Sequence, residues 1–185
     1  MVITLTPDKL MKFVGRKNIY AMQTKSGAYV PVRKEITMDA LIEHFNGDKT
    51  LGSYVIREDG KINFAVIDID SDPKTFDYNS FLSISEMIYK LFPEFERVLE
   101  FSGRRGFHIW LLLDKAEPPA FMRELIKTRL RAKGLINIEI YPKQDKVDEL
   151  KQKLGNLVKL PCGKHLKNGK WSKILKWTGK NTLKK

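Results

Sequence analysis

One cysteine, Cys162, stands in the whole chain of 185 residues, and a lone thiol forms neither an internal disulfide nor a multi-cysteine zinc site. Zinc is therefore not expected. Acids are scarce beside bases: 22 Asp and Glu face 34 Lys and Arg, a formal net charge of +12. No apolar run approaches the roughly 20 residues a membrane helix requires, and the opening residues lack the basic-then-apolar profile of a signal peptide. The expectation is a soluble, cytoplasmic protein with no membrane partner. Also missing are a GxxxxGK[ST] loop, an HExxH helix and a nucleophile elbow. Gly179-Lys180-Asn181 does not complete a Walker motif.

The shortage of acids points outward, to a polyanionic partner, because long-range attraction to phosphate raises affinity and on-rate. The basic residues are spread along the chain rather than gathered on one amphipathic segment, which disfavours a membrane-surface role. Apolar residues reach 42%, enough for a core in one domain of moderate size or two small associated lobes.

Periodicity and turn chemistry predict a mixed α/β chain with hairpins, a poor match to an alternating parallel sheet. Thr6-Pro7 opens a short helix to residue 14. Strands over 19–25 and 29–33 flank a Ser26-Gly27 turn. Thr37 caps a helix to about Phe45, with Leu41, Ile42 and Phe45 on one face. Residues 52–56 and 62–69 read as a hairpin around Glu58-Asp59-Gly60. A helix over 78–91 is expected to bury Phe81, Ile84, Ile88 and Leu91. A second hairpin pairs 97–101 with 107–113, Pro118-Pro119 starts a helix to Arg131, and 135–141 forms a strand. Short strands broken by Pro161-Cys162-Gly163 and Asn168-Gly169 fill 157–177, before a lysine-rich end.

The most informative segment is Phe64-Ala65-Val66-Ile67-Asp68-Ile69-Asp70, an apolar strand ending in two acids. Side chains at i and i+2 share a strand face, so Asp68 and Asp70 project together, roughly 7 Å apart at the backbone. Two partly desolvated carboxylates repel, and a divalent cation between them resolves that conflict. The competing reading is a strand running out into a solvated acidic turn, since Asp72 and Pro73 follow. Glu139, with Asn137 and Tyr141, is expected opposite an inward isoleucine face, where it would supply the third acid of a two-metal site. An exposed sheet face would tolerate it equally.

Ser102-Gly103-Arg104-Arg105-Gly106-Phe107-His108 combines a tight glycine loop with hydroxyl, guanidinium and imidazole donors suited to a triphosphate. A lone strand His is more often packed than functional. Lys143, Lys159, Lys164 and His165 follow as cations within reach of the same phosphates, or as solvated charges. Arg123, Lys127 and Arg131 form an i, i+4, i+8 stripe that could track a nucleic-acid backbone or simply face solvent.

In order, these segments resemble the archaeo-eukaryotic primase superfamily, in particular its prim-pol branch. The features are an acidic pair on a strand (Asp68-Ile69-Asp70), a Ser-to-His segment (Ser102 to His108) and a strand-borne acid (Glu139). The Phe45-Asn46-Gly47-Asp48-Lys49-Thr50-Leu51-Gly52-Ser53-Tyr54 run resembles primases of mobile-element conflict systems and CRISPR-associated prim-pols. So do Glu139-Ile140-Tyr141-Pro142-Lys143-Gln144 and Gly155-Asn156-Leu157-Val158-Lys159-Leu160-Pro161-Cys162-Gly163-Lys164-His165. The resemblance covers about 36–177 of a single catalytic domain, with 178–185 as a basic tail.

It implies an RRM-like catalytic sheet packed with a smaller α/β unit, the active site lying in the cleft between them. It implies templated nucleotide addition from (d)NTPs onto a DNA (or RNA) primer by two Mg²⁺ or Mn²⁺ ions. Asp68, Asp70 and Glu139 would be the catalytic metal ligands. Ser102, Arg104, Arg105, His108, Lys143, Lys159 and His165 would hold the nucleotide. The cysteine-rich zinc module and the helicase or accessory helical domain of larger members are missing here, so a helicase or other replication or CRISPR partner would come from elsewhere. Two alternatives remain. A divalent-metal nuclease also uses clustered acids and a His. An inactive RRM-like module would bind nucleic acid only, although acids on its sheet face argue against that reading.

Overall fold

A computed structural model describes residues 5–72, 74–148 and 154–179; the lysine-rich end of the predicted tail, 180–185, and Pro73 lie outside them. Two antiparallel sheets organise the chain. The smaller unit begins with a 3₁₀ helix, Pro7–Phe13, and contains β1 (Tyr20–Gln23), β2 (Tyr29–Val32), α1 (Met38–Asn46), β3 (Leu51–Tyr54) and, from far along the chain, β8 (Leu157–Lys159). Its sheet runs β2-β1-β3-β8. The larger unit contains β4 (Ile62–Asp70), α2 (Tyr78–Lys90), β5 (Glu96–Phe101), β6 (Gly106–Glu117), α3 (Pro119–Arg131), β7 (Glu139–Tyr141) and β9 (Lys173–Thr178).

From β4 to β7 the order is β-α-β-β-α-β, and the sheet runs β7-β4-β6-β5-β9. That split βαβ arrangement is the expected RRM-like sheet, extended at one edge by β9. β4 is buried along most of its length. With both carboxylates of its end on one face, the opposite parity (Ala65, Ile67, Ile69) turns to the helices. Between the two sheets, Trp110 packs edge-on to Phe13 at 5.0 Å and against Phe64 at 5.2 Å.

Local chemistry sets the helix ends. Thr37 Oγ1 accepts from Ala40 N, and Gly47, at φ 84°, ends α1 in the left-handed region. Asp77 Oδ2 accepts from Ser80 N at 2.7 Å to start α2.

Four expectations are corrected. Residues 52–56 and 62–69 are not a hairpin. The turn at Glu58-Asp59-Gly60 exists, with Arg57 N on Lys61 O at 2.9 Å. Beyond it, though, β3 pairs with β1 and β8, while β4 pairs with β6 and β7. The buried Val55 and Ile56 carry the chain from one sheet to the other. In α1, Ile42 faces solvent, and His44 takes the buried place beside Ala40 and Leu41. In α2, Ile88 is buried as expected, but Ile84 is exposed, and Ser85 and Tyr89 are buried in its place. The strand over 135–141 shrinks to Glu139–Tyr141, which pairs with β4 over three residues, and Ile136 before it is 73% exposed.

Candidate active site

Strand register puts the candidate residues in one line. Asp68 pairs across to Glu139 on β7 and to His108 on β6, and His108 pairs onward to Glu100 on β5. Directly opposed residues point to the same side of a sheet, so Glu139, Asp68, His108 and Glu100 form one row across four strands. Asp70, two residues beyond Asp68, joins that face opposite Gly106. The Gly there is required: a Cβ would lie 2.6 Å from both Asp70 Oδ1 and Ile69 O.

Glu100 escaped the sequence reading. It has no exposed surface. Its Oε2 accepts from His108 Nδ1 at 3.0 Å and from Trp110 Nε1 at 2.8 Å. Among the described residues its Oε1 has no hydrogen-bond partner, and it faces Lys159 Nζ at 3.6 Å. Burial alone would raise the carboxyl, yet the Lys159 charge, the His108 bond and charge, and Ser172 outweigh it and hold the pKa at about 2. Two signals pointed to it. Glu100 interrupts an apolar strand, and counting outward from the hairpin tip (Phe101 opposite Phe107) places it against His108.

With Nδ1 committed to Glu100, His108 turns Nε2 toward Asp68 Oδ1 at 3.7 Å. Burial lowers the imidazole pKa, but the bond and charge of Glu100 and the charge of Asp68 raise it above its ordinary value. Asp68 is pushed upward chiefly by burial, with the charges of Asp70 and Glu139 adding to it against His108 and Lys143.

A cleft of about 250 Å³ opens between the sheets. Asp68, Asp70, Ser102, Arg104, Arg105, His108, Lys159 and His165 all line it, joined by Tyr29, Tyr141, Leu157 and Val158. Arg105 lies on Asp70, its Nε at 3.1 Å from Oδ2. Arg104 is exposed at the rim. Lys159 serves Glu100 and donates to Ser172 Oγ at 2.7 Å, so it anchors the wall more than it offers a free charge. His165 packs on Gln23, Nε2 to Nε2 at 3.3 Å. Burial first, then Lys159 and Arg104, lower its pKa.

Glu139 and Lys143 sit outside the lining. Glu139 Oε2 accepts from Tyr141 Oη at 2.9 Å and pairs with Lys143 Nζ at 2.9 Å. The α3 stripe is away from the cleft: Arg123 pairs with Asp145 and Lys127 with Glu124.

Among the described residues no three His, Cys, Asp or Glu side chains are grouped closely enough to hold a metal ion. The donor set nevertheless suits a hard divalent cation. Asp68 and Asp70 offer oxygen ligands on one face, with Glu139 in register beside Asp68, and burial, then the charges of Asp70 and Glu139, raise Asp68. Arg105 on Asp70 and Lys143 on Glu139 now carry the neutralising charge.

A family model described as the archaeo-eukaryotic primase domain of the TOTE conflict system matches residues 10–181. The fold is similar to that of the AEP domain of cyanophage S-2L primase-polymerase, at a TM-score of 0.55 and 12% identity, over 89% of this chain and 83% of that one. No curated protein sequence matches the chain.

Proposed function

Since the chain belongs to the archaeo-eukaryotic primase domain family of TOTE conflict systems, we propose that it is a template-directed primase-polymerase, a single catalytic domain that transfers nucleotides from (d)NTPs to a 3′-hydroxyl. The observation that carries this reading is the cross-strand row Glu139–Asp68–His108–Glu100, whose middle pair, Asp68 and His108, lines with Asp70, Arg104 and Arg105 one cleft. Nucleotidyl transfer belongs to the family; the template, the primer and the two-metal mechanism are our proposal.

Asp68, Asp70 and Glu139 would hold two divalent ions, Mg²⁺ or Mn²⁺. Bound there, such ions lower the pKa of an attacking hydroxyl and neutralise a leaving pyrophosphate. The remaining work falls to side chains. Glu100 accepts from His108 Nδ1 and, with Asp68, favours the protonated imidazolium, whose Nε2–H then faces the cleft as a donor to a phosphate oxygen. Ser102 and Arg104 stand at the loop tip, where hydroxyl and guanidinium reach a triphosphate. Arg105 is held by Asp70 and is free for phosphate once that carboxylate finds another cation. Positioning and electrostatics in a cleft between two sheets make up the protein's share of catalysis.

The test is extension of a labelled primer on a short template, with dNTPs or NTPs and Mn²⁺ or Mg²⁺, beside the Asp68→Ala, Asp70→Ala double variant. Longer products that vanish in the variant support the proposal. A strand that is shortened makes this a metal-dependent nuclease, and a strand bound but unchanged makes it a binding module.

A further inference from the structure

From residue 154 to 179 the chain carries six lysines (159, 164, 167, 170, 173 and 176) and no Asp or Glu. Two are committed: Lys159 to Glu100, and Lys176 to Glu86, with Nζ 2.6 Å from Oε1. Lys164, Lys167, Lys170 and Lys173 pair with no carboxylate among the described residues. All four sit on or beside one tight hairpin. A bridge between Lys164 and Trp171 and a bond from His165 N to Lys170 O at 2.8 Å close it, with Gly169 turning at φ 69°.

That hairpin spans the rim of the cleft. At one end the Lys167 side chain lies on the β1–β2 turn, where a Cβ at Gly27 would meet its Cδ at 3.0 Å. At the other, the Trp171 backbone lies on the Ser102–Arg105 loop, where a Cβ at Gly103 would meet its O at 2.8 Å. Trp171 remains 39% exposed, its ring edge resting on Gly47. Four like charges on one short hairpin repel unless a polyanion covers them. An aromatic ring among lysines is also how proteins hold single strands without reading sequence: bases stack on the ring while cations follow the phosphates. By contrast, two of the three α3 cations are already paired.

We propose that the 164–173 hairpin is the surface that holds a single-stranded nucleic acid, the template, as it enters the cleft, with Trp171 as the stacking platform. The assignment of the strand as template rests on the polymerase reading; the surface itself is tested without nucleotides or metal.

The measurement is fluorescence anisotropy of a labelled oligothymidine and of an abasic oligonucleotide of equal length, over a salt series. Lys167→Gln, Lys170→Gln, Lys173→Gln together should reduce the slope of log affinity against log salt by about 2, from ~0.7 per phosphate contact. Trp171→Ala should weaken oligothymidine binding about tenfold and leave the abasic strand unchanged. Lys127→Gln, Arg131→Gln should change neither. Thermal unfolding confirms that each variant is folded. An unchanged salt slope in the triple lysine variant overturns the proposal, as does a Trp171→Ala loss that is equal on both strands. Wild type that binds through the hairpin yet extends no primer overturns the polymerase and leaves this surface standing. Primer extension combined with hairpin-independent binding overturns this surface alone.

Discussion

Glu100 and His108, eight residues apart across the β5–β6 hairpin, form a buried ion pair with His108 Nδ1 donating to Glu100 Oε2 at 3.0 Å. Lys159, from the other sheet, completes it at 3.6 Å. The pair thus ties the RRM-like sheet to β8 at the floor of the cleft. Such a carboxylate is costly to desolvate, and removing one partner leaves the others buried and uncompensated.

Replacing Glu100 with Gln keeps an acceptor for Trp110 and His108 but strands the Lys159 ammonium. The variant should lose about 3 kcal/mol in urea unfolding. Adding Lys159→Met should recover part of that loss, giving a coupling of about 1–3 kcal/mol. Equal stability of Glu100→Gln and wild type would show that the ion pair does not hold the sheets together.

How far the sequence foretold this depends on the range of each contact. Helix starts at Thr37 and Pro119 and the β5–β6 hairpin are local, decided by caps and a glycine tip, and they were legible. Asp68, Asp70, Ser102, Arg104, Arg105, His108, Lys159 and His165 were expected together and do share one cleft. The split between β3 and β4 was not legible. β3 finds its partner Lys159 more than a hundred residues away at Gly52, and no turn chemistry reports that. Glu100 was missed although the hairpin count set it against His108, because a Glu scores as surface until the distant Lys159 that shares its burial is known. Ile84 loses its buried place to Ser85, whose small side chain bonds back to Phe81 O at 2.7 Å.

The cluster around Asp68 should cost stability in the absence of a cation, because burial and the neighbouring Asp70 and Glu139 charges disfavour its carboxylate. Asp68→Asn should therefore unfold about 1 kcal/mol less readily than wild type in metal-free buffer. Millimolar Mn²⁺ should raise the wild-type melting temperature by a few degrees, since a ligand at 100 times its Kd adds about 2.7 kcal/mol. The same ion should leave Asp68→Asn, Asp70→Asn unmoved. A melting temperature that rises equally in both proteins would place the metal elsewhere.

His44 makes stability depend on pH. Leu51 N donates to its Nδ1 at 2.9 Å, so Nε2 carries the proton and donates to Pro161 O at 3.1 Å. Burial and the Lys159 charge lower its pKa from 6.5 to about 4. A lowered histidine favours the neutral form in the fold, so its contribution is fully present above pH 6.5 and is lost as pH falls from 6.5 to 4, by about 3 kcal/mol. His44→Leu should be less stable than wild type at pH 7, with Leu51 N and Pro161 O unpaired, and should lack this part of the pH dependence. Urea unfolding of both proteins at pH 7 and pH 5 measures it; parallel curves would sink the assignment.

Two glycines separate steric exclusion from backbone strain. A Cβ at Gly106 would lie 2.6 Å from Asp70 Oδ1 and from Ile69 O, in the paired part of β4 and β6. The carboxylate oxygen can rotate away, but Ile69 O and Asp70 Cα, at 3.0 Å, are backbone and yield only if the acidic strand moves, so Gly106→Ala should cost about 2–3 kcal/mol and shift the Asp70 carboxylate. Among the described residues nothing lies within 4 Å of a Cβ at Gly60, but its φ of 76° is unfavourable for alanine. Gly60→Ala should cost about 1 kcal/mol and leave the site untouched. The distinguishing readout is the Mn²⁺-induced rise in melting temperature: Gly60→Ala should retain it and Gly106→Ala should lose it. A rise retained by Gly106→Ala would mean that the ion does not depend on where Asp70 stands, and the carboxylate pair would lose its place as the metal site.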